Sequence, residues 1–156
     1  MSIYIAALLI GIIAGLRTFT APMVVSWAAR FGWLQLGDPP FDLFRYFYTP
    51  YTPFILTVLA AGELVGDKLN RTPSRKIAPA FLARVVSGAV CGATICGLSN
   101  IGLGAFLGAI GAVIGTLVGH EFRSRLATAF RKDFPAALIE DAIAVGGGFL
   151  IVATML

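Results

Sequence analysis

The chain has 156 residues, 58% of them hydrophobic and only 13% charged, with a mean hydropathy of +0.86. Soluble domains carry roughly 25% charged residues, so this composition excludes an ordinary soluble domain and indicates a membrane protein. The net charge of +4 and pI near 9.4 do not indicate nucleic acid, because most basic residues sit in two short clusters flanked by apolar runs, where they act as topology signals.

A helix needs about 20 mostly apolar residues to cross a bilayer core of roughly 30 Å, so five spans nearly use up the chain and leave no room for a separate soluble domain. The pattern predicts an all-α bundle with helices over 3–29, 52–69, 79–98, 101–122 and 135–155. The first run starts "MSIYIAALLI" with no basic n-region, so it is expected to be retained rather than cleaved as a signal. It contains one charge, Arg17, inside "AGLRTFTAP". In the same stretch Pro22 lacks an N–H and crowds the carbonyl of Thr18, while Thr18 and Thr20 carry hydroxyls able to satisfy freed backbone groups. A break in this helix and a simple kink are both compatible with that pattern.

Between the first two spans, "FGWLQLGDPPFDLFRYFYTPYTP" is rich in rings and prolines and is expected to lie along the membrane surface. The next span ends in Glu63 and Asp67, one turn apart; the third carries Arg84 five residues in. Small residues stripe the third and fourth spans: Ser87, Gly88, Cys91 and Gly92, then Gly104, Gly108, Gly111, Gly115 and Gly119. They mark close helix packing. Cys91 and Cys96 are five apart and point apart on a helix, so they are read as packing residues and not as a disulfide or metal pair. His120 and Glu121 close the fourth span, and the fifth carries Glu140 and Asp141.

The loops at 68–78 and 121–134 hold eight Lys and Arg between them, against two at 30–52. With five spans, the positive-inside rule places the N-terminus in the cytoplasm and the C-terminus outside. There is also an internal echo. "ELVGDKLNR" parallels "TLVGHEFRS", and "RKIAPAFLARVVSGAVCG" parallels "RKDFPAALIEDAIAVGGG", so 52–98 and 101–155 read as two similar hairpins in one transmembrane domain covering 1–156. In that register Glu63 and Asp67 correspond to Thr116 and His120, and Arg84 to Glu140 and Asp141.

Charges within spans must pair or face water, and intramembrane ionisable groups are functional candidates. Arg17, Thr18, Thr20, Glu63, Asp67, Arg84, His120, Glu140 and Asp141 are therefore the candidate substrate- or ion-binding residues, with Glu63 or Glu140 the expected partner of Arg17. Asp67, His120 and Glu121, close to the basic loops, also fit a role as staples at the membrane edge. No nucleophile elbow, metal cluster, P-loop or dinucleotide fingerprint is present, so no enzyme, cofactor or metal is expected.

At "AGLRTFTAP", "GELVGDKL", "RVVSGA" and "IEDAIA" the chain resembles a family of small bacterial integral membrane proteins known only as a domain of unknown function. The resemblance covers nearly the whole chain and implies a polytopic helical protein in which Glu63, Asp67, Glu140 and Asp141 belong to family motifs; it implies no activity. The expected function is a transporter or channel for a small solute or ion, proton-linked through the carboxylates. The alternative is a non-transporting scaffold or lipid-interacting protein whose buried charges are staples. The expected partners are the lipid bilayer and further copies of the chain, with no nucleic acid.

Overall fold

The computed structural model describes residues 1–34, 47, 49–67, 78–97, 100–131 and 133–155. Most of the aromatic segment, together with Arg45, Lys68, Arg71, Arg75, Lys76 and Lys132, lies outside the described residues. Among the described residues there are six helices and no strand: α1 (Ile3–Leu16), α2 (Thr20–Arg30), α3 (Thr52–Gly66), α4 (Ala78–Cys96), α5 (Ile101–Phe130) and α6 (Asp133–Ala153). Helices α4, α5 and α6 are long and apolar enough to cross a membrane, and α1 and α3 are shorter apolar helices.

The predicted leading span is two helices, which is why the count is six and not five. Pro22 is the third residue of α2, where a missing N–H breaks no intrahelical bond; continuing α1 through this point would drive its ring into the Thr18 carbonyl. Arg17 instead takes extended backbone (φ −142, ψ 119) and ends α1, its N–H bonded to the Ile13 carbonyl at 2.9 Å. The chain then reverses. Ile13 lies against Gly147, Arg17 reaches Asp141, and Val24 lies against Gly148, so α1 runs down along α6 and α2 climbs back beside it. Helix α2 closes with Gly32 in the left-handed region (φ 72), where the Trp33 N–H bonds the Ala28 carbonyl at 2.9 Å.

This reversal changes the topology. The Met1 ammonium lies 3.5 Å from the Thr154 carbonyl, and Cys96 sits beside the Ile3 carbonyl, so both chain termini and the α4–α5 turn share one end of the bundle. The reversed pair α1–α2 thus brings the chain back to the end it started from, where a single unbroken leading helix would have ended at the other. Arg123, Arg125 and Arg131 mark the opposite, basic end, where α5 continues through "RSRLATAF" well past its predicted end. That stretch contains no glycine or proline to stop it, and the helix closes only at Arg131 in the left-handed region (φ 55).

The two short helices form the core. In α1, Ala6, Ala7, Ile10, Ile13, Ala14 and Leu16 are buried, and α2 buries Ala21, Val24, Val25 and Ala28. Helices α3 to α6 surround them and turn Ile55, Val58, Leu82, Phe106, Val118 and Leu150 outward, as suits walls solvated by lipid. Backbone that does not span is tolerated at membrane depth only inside such a protein wall. Helix α3 leans on α2, where the Trp27 indole donates to the Thr57 hydroxyl at 3.0 Å and meets the Phe54 ring edge-on.

The small-residue stripes do what their spacing predicts. Gly88 and Gly92 of α4 meet Gly104 and Gly108 of α5, while Gly111 and Gly115 sit against Leu8 and Ile12 of α1. A Cβ on Gly88 would lie 2.6 Å from the Gly108 carbonyl oxygen, whereas one on Gly62 of α3 would meet nothing within 4 Å. Gly88→Ala is therefore expected to destabilise the detergent-solubilised protein by about 1–3 kcal/mol through overpacking. Gly62→Ala is expected to be neutral or slightly stabilising, since alanine is the better helix former. Thermal unfolding of both variants checks the contrast; equal melting temperatures would contradict the close α4–α5 approach.

Candidate functional site

The α1–α2 reversal leaves helix-end backbone groups without intrahelical partners, and in a lipid-like setting each needs one from elsewhere. The Glu63 carboxylate of α3 accepts the Thr18 N–H at 2.7 Å and the Phe19 N–H at 2.9 Å, capping the N-terminus of α2. A carboxylate is the favourable group here, because the first N–H groups of a helix and its dipole both attract negative charge. The carbonyls are held from other helices. Ser87 of α4 donates to the Thr18 carbonyl at 2.7 Å, and Thr116 of α5 donates to that of Gly15 at 3.1 Å and of Ala112 at 2.8 Å.

Arg17 sits in the reversal itself and is 1% exposed. Its Nη1 is 2.6 Å from Asp67 Oδ2 just after α3, and its Nη2 is 2.5 Å from Asp141 Oδ1 and 3.5 Å from Glu140 Oε2 on α6. A guanidinium cannot shed its proton at physiological pH, so these carboxylates are what make its burial tolerable. A second arginine shares them. Arg123 of α5 binds the same Asp67 oxygen, lies 3.6 Å from Glu140, and grips Asp133 at the start of α6 in a two-pronged pair of 2.9 and 2.5 Å. Exposure rises along this chain of charges toward the basic end: the Glu140 side chain is 1% exposed, Asp67 11%, Arg123 13% and Asp133 60%.

Of the candidates read from the sequence, Arg17, Asp67, Glu140 and Asp141 come together as one cluster, with Glu63 and Thr18 beside it at the reversal. Two readings are corrected. Glu63 is not the counter-charge of Arg17: its carboxylate is taken up by backbone N–H groups, and Asp67, one turn on, reaches the guanidinium. Nor do the Thr18 and Thr20 hydroxyls repair the break. Ser87 and Thr116 hold the carbonyls, and the buried Thr20 hydroxyl has no hydrogen-bond partner among the described residues. Arg84 is buried on α4, one turn before Ser87. His120 joins none of these pairs, and Glu121 pairs at the surface with Arg125 at 2.7 Å. Cys91 and Cys96 are free and buried.

Sequence reading missed Arg123, which it counted as a loop charge, along with Ser87 as a hydroxyl donor and Asp133. The absence of any helix breaker after residue 122 was the available signal. It keeps α5 helical through Arg123 and so fixes that side chain on the face beside the cluster.

A membrane-type helical protein with three helices able to span, a reversed pair of short helices and a buried cluster of ion pairs is thus defined. A family model described as a domain of unknown function (DUF4126) matches residues 4–154, and the chain belongs to that family. No curated protein and no solved structure matches it.

Removing Arg17 takes from the buried Asp141 its ion pair and from Asp67 and Glu140 one of two arginines, and breaking a buried pair typically costs about 3–5 kcal/mol. Arg17→Leu is accordingly expected to lower stability by that amount, and Arg17→Leu combined with Asp141→Leu to recover part of the loss, as measured by denaturation in detergent micelles. A double variant less stable than the single one would refute the coupling. At Glu63, the Gln variant retains one acceptor oxygen and the Ala variant retains none. Glu63→Ala is therefore expected to be the more destabilising, at about 1–3 kcal/mol for each N–H left without a partner.

Proposed function

We propose that the protein is a small integral membrane transporter or channel for a small solute or ion, linked to protons through its buried carboxylates. The observation that carries the reading is the interruption of the first helix at Arg17, where two half-helices meet a cluster of charges from three other segments. Chains seldom bury charge in a membrane without using it, and interrupted helices with their ends at charged residues are how many transporters build substrate and ion sites. In this reading Glu140 and Asp141 carry the proton or cation, Arg17 is their counter-charge, and Glu63 holds the reversal in place. The membrane is a bacterial inner membrane. With the eight loop Lys and Arg of 68–78 and 121–134 on the cytoplasmic side, both termini face outward.

A second reading, a scaffold with structural charges, is favoured by the tight pairing of Arg17 and Arg123. Flux separates the two. Purified protein in liposomes loaded with a pH-sensitive dye is expected to dissipate a proton, Na⁺, K⁺ or Cl⁻ gradient, and Asp141→Asn to abolish most of that flux while the protein stays folded. Empty-liposome rates for the wild type across all four gradients would favour the scaffold. Reporters at either terminus that are active only outside the cytoplasm are expected to give signal; a cytoplasmic signal from one of them would overturn the orientation.

A further inference from the structure

Arg123 has a position that its role as a topology charge does not account for. It lies on the helical extension of α5, about 1.5 Å per residue beyond the level of Gly119, which itself contacts Leu16 at the end of α1. From there its guanidinium reaches across the basic end of the bundle to three segments. It binds the Asp67 carboxylate after α3, lies 3.5 Å from the Asp67 backbone carbonyl, grips Asp133 where α6 begins, and stands 3.6 Å from Glu140 one helical stretch further in. One oxygen, Asp67 Oδ2, is shared between Arg123 and the buried Arg17. Among the described residues, Arg123 is the side chain that joins the exposed Asp133 to the buried Arg17 cluster.

We infer that Arg123 is a latch closing the basic end of the bundle over the Arg17 cluster, so that access to the cluster from that side requires its release from Asp133 and Asp67. The inference rests on the transport reading for its purpose but not for its test. The two bonds of the latch differ in kind. The Asp133 pair is largely exposed, hence screened by salt and easily broken, while the Asp67 pair is mostly shielded and stronger. Release thus starts at Asp133. Once Arg123 swings away, Asp67 keeps its bond to Arg17, so the cluster stays intact as its cover opens. Glu140, between the two arginines at 3.5 and 3.6 Å, then keeps Arg17 and loses the nearby Arg123.

The test reads access and not flux. Thr20→Cys places a thiol at a fully buried position in the reversal, in a Cys91→Ala, Cys96→Ala background that removes the native thiols. Its labelling by a membrane-impermeant methanethiosulfonate is measured in proteoliposomes with the reagent on one side at a time. Arg123→Ala is expected to speed labelling from the basic side about tenfold, the change produced by losing ~1.4 kcal/mol of closure, with no change from the side of the termini. Asp133→Asn, a surface change that keeps the fold, is expected to move the rate in the same direction by a smaller factor. Arg123→Lys, which keeps the charge but not the two-pronged grip, is expected to fall between wild type and Arg123→Ala. Unchanged labelling in both Arg123→Ala and Asp133→Asn overturns the latch, as does an equal rise from both sides, which is general loosening. Side-specific labelling without flux in any assay would remove the transport reading and leave the latch standing; flux with unchanged labelling would do the reverse.

Discussion

A guanidinium that cannot lose its charge, held at 1% exposure in a lipid-facing bundle, is the constraint on which the rest of the structure depends. Arg17 has to be met by carboxylates, and its own helix has none to offer. Asp67 therefore has to come in at the end of α3, and Asp141 with Glu140 from one face of α6, which sets the relative heights of both helices against α1. Because Arg123 binds the same Asp67 oxygen and also Asp133, α5 is tied into the same arrangement. Charges drawn from both ends of the sequence thus determine how the wall helices register against the buried pair.

The same region resolves a second difficulty, the backbone groups exposed by reversing the chain inside the protein. Two N–H groups go to Glu63 and two carbonyls to Ser87 and Thr116, each on a different helix. Through these four bonds the reversal works as a junction of the bundle. It also explains why the shortest helices lie at the centre. Half-helices need not span the bilayer if longer neighbours shield them, and the glycine contacts among α1, α4 and α5 bring that shield close enough to exclude lipid.

Exposure along the charge chain, from Glu140 through Asp67 and Arg123 to Asp133, runs from dry interior to solvent. The exposed Asp133 end of this chain contributes little stability, because exposed pairs are weak. A route by which charge or solute approaches a buried site uses such a gradient, with weak interactions at the mouth and strong ones inside. In the proposed transport reading, this gradient and the interrupted helix together form that route.

Much of this was legible in the residues. Composition alone established the membrane class and the all-helical fold, because apolar runs of this length have few alternatives. The small-residue spacing on α4 and α5 marked surfaces of close packing, because a period near four keeps small residues on one side of a helix, while which helix each glycine meets came from the fold. The isolation of Arg17 among apolar residues marked the site, and Pro22 after Thr18 and Thr20 marked the place where α1 might end. Partner choice was not legible. Glu63 and Asp67 are one turn apart and chemically alike, and which of them meets Arg17 depends on an angle between helices that no local pattern encodes. The direction of α2 was equally hidden: a proline permits a break, but only the packing of Val24 on Gly148 and of Trp27 on α3 turns the break into a reversal and brings both termini to one end. Local sequence determined which segments are helical and which residues are too polar to be left alone in them, since those are properties of single turns. Tertiary structure alone decided which charges meet and which way the chain runs between them, since those depend on surfaces that exist only once the helices have packed.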